Sequence, residues 1–143
     1  SFMNTYAVFP SDNDPLLDAA QTATYYINIS TTGNYDFECQ ADNSATFTLD
    51  GTQIATSSSF TSSTTTTLSS LSAGAHTLVV SVTNVTDTNP SSGNTWTDNP
   101  GGVAWTISQS GAIITSSLNL NVQSGANLFW DTRRAIGYTY TTT

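Results

Sequence analysis

The chain has 143 residues with two arginines, no lysine and ten acidic residues, giving a formal net charge of −8 at pH 7. This is the length of one domain, which buries roughly 68–70% of the surface of its unfolded chain. The negative charge repels nucleic-acid phosphates and anionic lipid, which argues against nucleic acid as a partner. Apolar runs fall far short of the roughly 20 residues that cross a bilayer, so we predict no membrane insertion.

The composition favours strands over helices. Serine and threonine make up about a third of the residues, whereas charged residues make up only 8%. Threonine is β-branched and suits a pleated surface, and the strong helix formers lysine, glutamate and arginine are nearly missing. Cys39 is the single cysteine, so no disulfide can form within the chain, and its position predicts a small buried apolar side chain.

Residues 1–22 show no clean periodicity, and the stretch 10–15 is a dense turn signal between two prolines. Asp12, Asn13 and Asp14 lack the spacing of an EF-hand and predict a solvated turn. A methionine at position 3 suggests an excerpt from a longer protein, with residues 1–3 as a possible remnant of cloning. The first strand is predicted at residues 23–29, followed by a turn at 32–34.

The next segment alternates apolar and polar residues, which is the period of a half-buried strand. Its apolar residues are Tyr35, Phe37, Cys39 and Ala41. Asp42 and Asn43 then form a short loop before a strand at 45–49. Asp50-Gly51 suits a tight primed turn into a strand at 53–56, which completes a hairpin.

Residues 57–72 look like low complexity, yet Phe60, Leu68 and Leu71 are spaced to fix an extended threonine-rich strand to the core. Residues 73–75 provide a turn into a strand at 76–84. The irregular stretch from 84 to 102 follows, and loops of this length in compact domains are often binding loops. A strand with a core tryptophan, Trp105, is predicted at 103–107, and two short strands are predicted around 113–114 and 118–122.

About nine short strands with regular turns predict an all-β fold, an antiparallel β-sandwich of the jelly-roll type. A small barrel is the alternative. We predict one domain over residues 1–143, with an irregular segment at 1–22 and C-terminal strands within 111–143.

Over roughly residues 20 to 110 the chain resembles the protective-antigen-type β-sandwich, the lectin-like fold of yeast flocculins and related adhesins. Four segments carry the resemblance: Gly33-x-Tyr35-x-Phe37, Ala41-Asp42-Asn43, Leu49-Asp50-Gly51 and Leu71-x-Ala73-Gly74-x-His76-x-Leu78. The combination also looks like serine- and threonine-rich modules of bacteriophage tail and appendage proteins.

The resemblance implies a calcium site at Asp42 and Asn43. In these adhesins two consecutive aspartates, joined by a cis peptide, hold a calcium ion that in turn binds sugar hydroxyls. Asparagine at the second position removes one negative charge, which lowers calcium affinity. We predict Asp98 and Asn99 of the long loop as further oxygen ligands; the alternative is that Asp42 and Asn43 cap loop amides.

Trp96 is the predicted platform for a sugar ring. It lies in a polar stretch that ends in Asp98 and Asn99, where an aromatic ring beside amides and a carboxylate is typical of a carbohydrate site. The alternative is a loop anchor that packs against the edge of the sandwich.

No catalytic arrangement is evident. His76 is the only histidine and follows Gly-Ala at a strand start, which predicts a structural role, and no spacing singles out two carboxylates for glycoside hydrolysis. We therefore predict no enzyme activity and a calcium-assisted carbohydrate-binding or adhesion module on a cell or virion surface. The alternative is a spacer or decoration domain of a viral tail or another extracellular assembly, which pairs with neighbouring chains or with copies of itself.

Overall fold

The computed structural model describes residues 1–11, 14–89, 93–95 and 98–131. These residues form one short helix, nine strands and a single turn of 3₁₀ helix. In chain order the elements are α1 (Phe2–Tyr6), β1 (Gln21–Ile29), β2 (Gly33–Asp42), β3 (Ser44–Leu49), β4 (Thr52–Ser57), β5 (Thr64–Leu71), β6 (Gly74–Thr83), β7 (Gly102–Gln109), β8 (Ala112–Ser116), the 3₁₀ turn (Leu120–Val122) and β9 (Gln123–Ser124).

The strands form two sheets that pack face to face. One sheet has the order β4-β3-β6-β1-β9 and the other has the order β5-β2-β7-β8. All pairings between these strands are antiparallel. The predicted antiparallel β-sandwich of about nine strands is therefore confirmed.

Alternation along the strands builds the core between the sheets. In β6, Leu78, Val80 and Val82 point inward and are buried, as are Tyr35, Phe37, Cys39 and Ala41 of β2. The predicted core position of Trp105 is confirmed, because its side chain is fully buried. Its ring makes an edge contact with Tyr25 at 4.9 Å between centroids and lies nearly parallel to Phe37 at 6.1 Å.

Local turn chemistry is also as predicted at the β3–β4 hairpin. Leu49 pairs with Thr52, and Asp50 and Gly51 between them both have positive φ, 51° and 84°. Strands β2 and β3, by contrast, follow one another in the chain but belong to different sheets. The chain therefore crosses from one sheet to the other at Asn43.

The N-terminal segment is more ordered than its sequence predicts. The Ser1 hydroxyl accepts a hydrogen bond from the Asn4 amide and caps α1. Met3 of this helix joins a small apolar cluster with Ala104 of β7. The main chain of Val8 then exchanges two hydrogen bonds with Val103. A five-residue helix spans too few turns to display an apolar period, which is why the sequence did not reveal it.

Two predictions near the sandwich edges are wrong. Residues 118–122 form a turn and a 3₁₀ helix instead of a strand. Phe60 is 37% exposed and does not hold its segment to the core, although Leu68 is buried as predicted. The strand predicted at Ile113 and Ile114 is confirmed as β8, in which both side chains are about half exposed. Among the described residues, no helix has the length and apolarity needed to span a membrane.

His76 links two turns at one end of the sandwich. Its Nδ1 lies 2.5 Å from Oδ2 of Asp50 in the β3–β4 turn, and its Nε2 lies 2.7 Å from the carbonyl oxygen of Ser72 in the β5–β6 turn. Both oxygens are acceptors, so the ring satisfies both only as the doubly protonated imidazolium. The hydrogen bond with Asp50, followed by the one with the Ser72 carbonyl, raises the pKa of His76. This agrees with the predicted structural role of His76.

This pair predicts a stability that depends on pH. Burial alone would raise the pKa of Asp50, but hydrogen bonds from His76 and Thr77 outweigh it and lower the pKa below 3.8. The stabilisation by Asp50 is lost as the pH falls through its folded pKa. That by His76 is complete below its unfolded pKa of 6.5 and is lost as the pH rises through its raised folded pKa.

We therefore expect the pair to stabilise the fold most between pH 3.8 and 6.5. Denaturant unfolding of the wild type and of Asp50→Asn measures this, because asparagine keeps the turn but removes the carboxylate. The stability difference between the two proteins is expected to be larger at about pH 5 than at about pH 9. An equal difference at both pH values would contradict the prediction.

Candidate functional site

The described residues of the predicted site, Asp42, Asn43, Asp98 and Asn99, lie at the end of the sandwich opposite His76. Asp42 ends β2 and pairs with Gly102, the first residue of β7, while Ser44 starts β3 and pairs with Thr83, the last residue of β6. Two strand connections and the start of the long 84–102 loop therefore meet here. The peptide bond between Asp42 and Asn43 is cis, as the adhesin resemblance implies for this position.

Asn43 holds the start of the long loop. Its backbone amide donates to the carbonyl oxygen of Thr83 at 3.0 Å, and its side-chain Oδ1 accepts from the backbone amide of Val85 at 2.7 Å. The hydrogen bond from the Val85 amide to Asn43 Oδ1 is the loop-amide cap that the alternative prediction expects of Asn43. Asp42 beside it is only 8% exposed, so its carboxylate is largely removed from solvent.

Asn84 is the central side chain of this end, although no motif in the sequence marks it as a site residue. It is 5% exposed, and its Nδ2 donates to the carbonyl oxygens of Asn99 at 3.0 Å and Pro15 at 3.3 Å. Its Oδ1 is buried and has no hydrogen-bond partner among the described residues. An unpaired buried acceptor costs free energy, so a donor group or a cation bound at this oxygen would be favourable.

The backbone at residues 101–102 passes close to Asn84. A Cβ atom added to Gly101 would lie 2.8 Å from Cβ of Asn84, so a side chain at this position would displace Asn84 or the loop. A cavity of about 10 Å³ lies beside these residues and is also lined by Gln21, Pro15 and Leu16. This is close to the volume that one water molecule or one ion requires.

The N-terminal segment contributes to the same end. Leu17 pairs with Asn84 in an isolated parallel bridge, and the Asp18 amide donates to the Asn84 carbonyl oxygen at 2.7 Å. The Asp18 carboxylate in turn accepts from the amide and the hydroxyl of Thr86. The Thr86 hydroxyl first, and then its amide, lower the pKa of Asp18. Asp18 thus fixes the beginning of the long loop, a role that its sequence context does not indicate.

Asp98 and Asn99 organise the long loop from within. The Asp98 carboxylate accepts hydrogen bonds from the amide and hydroxyl of Thr95 and from the amide of Gly93, at 2.7 to 2.8 Å. The Thr95 hydroxyl is the largest cause of the lowered pKa of Asp98. Asn99 is 9% exposed, and its Nδ2 donates to the carbonyl oxygen of Val85 at 3.0 Å.

The structure thus brings Asn43, Asn84 and Asn99 together around Val85, and Asp42 lies next to Asn43 in the chain. Asp98 lies one residue before Asn99, and its carboxylate accepts the hydrogen bonds from Gly93 and Thr95. Trp96, Asp12 and Asn13 lie outside the described residues. Asp14 caps its turn by accepting from the Leu16 amide at 2.9 Å, as a solvated turn predicts.

The donor set at this end consists mainly of amide and carbonyl oxygens. Within residues 1–11, 14–89, 93–95 and 98–131, no three His, Cys, Asp or Glu side chains are grouped so that they hold a metal ion. A hard cation that prefers oxygen ligands is therefore the only metal class that suits Asp42 and the asparagines.

No protein-family model matches the sequence, and a search of curated proteins finds no significant match. Solved structures do resemble the fold. The lectin of Pleurotus ostreatus in its apo form has a TM-score of 0.56 at 13% identity, over 71% of this chain and 29% of that chain. The same lectin in complex with GalNAc has a TM-score of 0.52 at 16% identity, over the same shares.

The α-L-rhamnosidase of Streptomyces avermitilis, complexed with L-rhamnose, has a TM-score of 0.55 at 16% identity, over 85% of this chain and 11% of that chain. This chain spans less than a third of the length of each of these proteins. At such low identities the likeness shows the fold alone, and that fold is a β-sandwich of the kind found in a lectin and in a glycosidase.

Proposed function

We propose that this chain is a non-enzymatic carbohydrate-binding module that acts at the Asn84 end of the sandwich. The observation that carries the proposal is the buried Oδ1 of Asn84, which has no partner among the described residues. Asn84 directly follows β6 and precedes Val85, whose amide is bound by Asn43, so this oxygen lies at the end of the sandwich where the β2–β3 connection and the long loop meet. Two solved proteins with this fold carry GalNAc or L-rhamnose in their structures, which supports a sugar as the ligand.

Calcium is proposed to assist this binding. Ca²⁺ takes six to eight oxygen ligands, and carboxylate, amide and backbone carbonyl oxygens all serve. The proposed ligands are the Asp42 carboxylate, Oδ1 of Asn84 and the second lone pair of Asn43 Oδ1, with Asp98 as the sequence-based candidate. A bound calcium ion would supply positive charge for sugar hydroxyls. With one carboxylate where the adhesins have two, we expect weak calcium affinity.

The sugar itself is proposed to contact the long loop. Trp96 remains the predicted stacking platform, and Asn99 is proposed to orient the loop through its bonds to Val85 and Asn94. Because the net charge is −8, a neutral glycan on a cell surface suits the module better than an acidic one. Such a partner implies an extracellular or virion-surface location. Several copies of the module on one surface would raise the overall affinity for the glycan through avidity, even if each site binds weakly.

The second candidate is a spacer or decoration domain in a viral tail or another extracellular assembly. The observation that favours it is β8, which is an edge strand among the described residues and in which Ile113 and Ile114 are 49% and 46% exposed. The strand carries no charged residue or proline to discourage pairing with another chain. In this case the module would bind no small ligand.

Calorimetric titration with Ca²⁺ tests the metal site. We expect the wild type to bind calcium and Asp42→Ala to bind it at least about tenfold more weakly, because a charged ligand is lost. Asp36→Ala is the matched control, since Asp36 is an exposed carboxylate on the same strand. Absence of heat with the unaltered protein would refute the calcium proposal.

A glycan array with and without Ca²⁺ tests the function. Reproducible hits that Trp96→Ala abolishes would support carbohydrate binding. No hits in either condition, together with a stable oligomer in sedimentation, would support the structural role instead.

A further inference from the structure

A groove of about 250 Å³ lies on the outer face of the five-stranded sheet, near the end that carries His76. Its lining residues are Tyr26, Ile27, Asn28, Asp50, Ala75, His76 and Thr77. The groove exists because Ala75 and Thr77 of β6, which pair with Asn28 and Tyr26 of β1, are small. It shares no lining residue with the site around Asn84.

One wall of the groove is an exposed aromatic ring. Tyr26 is 52% exposed, although it lies within a nine-residue strand whose inward side chains are buried. Its hydroxyl is 2.9 Å from Oγ of Ser124 on the neighbouring strand β9. This bond across two strands fixes the direction of the side chain, so the ring is presented to solvent with little freedom left to lose on binding.

The opposite wall is a carboxylate held in a fixed position. Oδ1 of Asp50 accepts from the Thr77 amide at 2.8 Å and Oδ2 lies 2.5 Å from Nδ1 of His76, while 46% of the side chain remains exposed. An ionised carboxylate has about four acceptor positions, so capacity remains for a ligand. The exposed Asn28 amide and the Thr77 hydroxyl add donors and acceptors around the rim.

Charge selects the class of ligand. The Asp50 carboxylate is already paired with His76, and the net charge of −8 disfavours anions, so a neutral ligand suits the groove. A neutral polyhydroxylated ring meets both walls, because its C–H face packs on an aromatic ring and its hydroxyls donate to a fixed carboxylate. The volume is below that of a drug-sized pocket and accommodates one such ring.

We propose that the Tyr26 groove is a second carbohydrate subsite that binds one neutral sugar ring without a metal ion. Tyr26 stacks on the ring, and Asp50 accepts hydrogen bonds from two of its hydroxyls. The groove and the loop site lie at opposite ends of the module, so one chain binds a glycan at two separate points. This subsite does not depend on the function proposed for the loop end.

Heteronuclear NMR of the intact chain in EDTA tests the subsite, with GalNAc, L-rhamnose and methyl β-D-glucoside as separate probes. We expect at least one sugar to shift the amide resonances of Tyr26, Thr77 and Asp50 in a saturable way. Tyr26→Ala is expected to weaken that binding about tenfold, whereas Tyr26→Phe retains the ring and most of the affinity. Phe60→Ala, at another exposed aromatic, is the control and leaves the affinity unchanged.

The outcomes separate the two sites. Shifts confined to residues around Asn84, or no saturable shifts with any of the three sugars, overturn the subsite whatever the glycan array shows. Saturable shifts at the groove that Tyr26→Ala leaves unchanged also overturn it, because the ring would then make no contact. Shifts at the groove in EDTA support the subsite even where the loop site binds neither calcium nor sugar.

Discussion

Trp105→Ala is expected to lower the free energy of unfolding by about 3–5 kcal/mol, the cost typical of removing a large aromatic side chain from a packed core. The indole is fully buried between the sheets, where it contacts Tyr25 and lies parallel to Phe37. Its removal leaves a cavity that the surrounding close-packed side chains fill only in part. Denaturant unfolding followed by circular dichroism measures the loss.

Trp130→Ala is the matched control for Trp105. Trp130 is 48% exposed, and its exchange of hydrogen bonds with Phe9 uses main-chain atoms that alanine retains. We expect a loss of about 1 kcal/mol or less, as for most surface substitutions. Similar losses for the two tryptophans would contradict the core that the structure describes.

Asn84→Ala is expected to lower stability by about 1–3 kcal/mol in EDTA and by more in calcium. In EDTA the variant loses the two hydrogen bonds that the Asn84 side chain donates to the carbonyl oxygens of Pro15 and Asn99. In calcium the wild type gains stability from any ion that binds only the folded state, and the variant lacks the Oδ1 ligand. Thermal unfolding of both proteins with and without calcium therefore measures the structural and the ligand-binding roles separately.

Asn119→Ala controls for the loss of an exposed asparagine, since the Asn119 side chain makes no capping hydrogen bond. It is expected to change stability by less than about 0.5 kcal/mol in either buffer. If calcium stabilises the wild type and Asn84→Ala equally, Oδ1 of Asn84 is excluded as a ligand. The role of Asn84 would then be only structural, through its hydrogen bonds to Pro15 and Asn99.

Much of the fold follows from local sequence. Alternation of apolar and polar residues predicts β2 and β6 and identifies their inward faces, because successive side chains of a strand point to opposite sides. Asp50-Gly51 predicts the β3–β4 turn, because both residues tolerate positive φ. The buried position of Trp105 follows in the same way from its apolar neighbours. Each of these features is set by residues within a few positions of one another.

The arrangement of the two ends depends instead on residues far apart in the chain. Asn84 bonds to Pro15 across 69 positions, Thr86 to Asp18 across 68 and His76 to Asp50 across 26. The sequence by itself determined the strands, their buried faces and the hairpin turn, since periodicity and turn propensity act locally. Only the tertiary structure decided that Asn84 is the centre of the candidate site and that Tyr26 faces Asp50, because strand pairing and sheet packing bring those residues together.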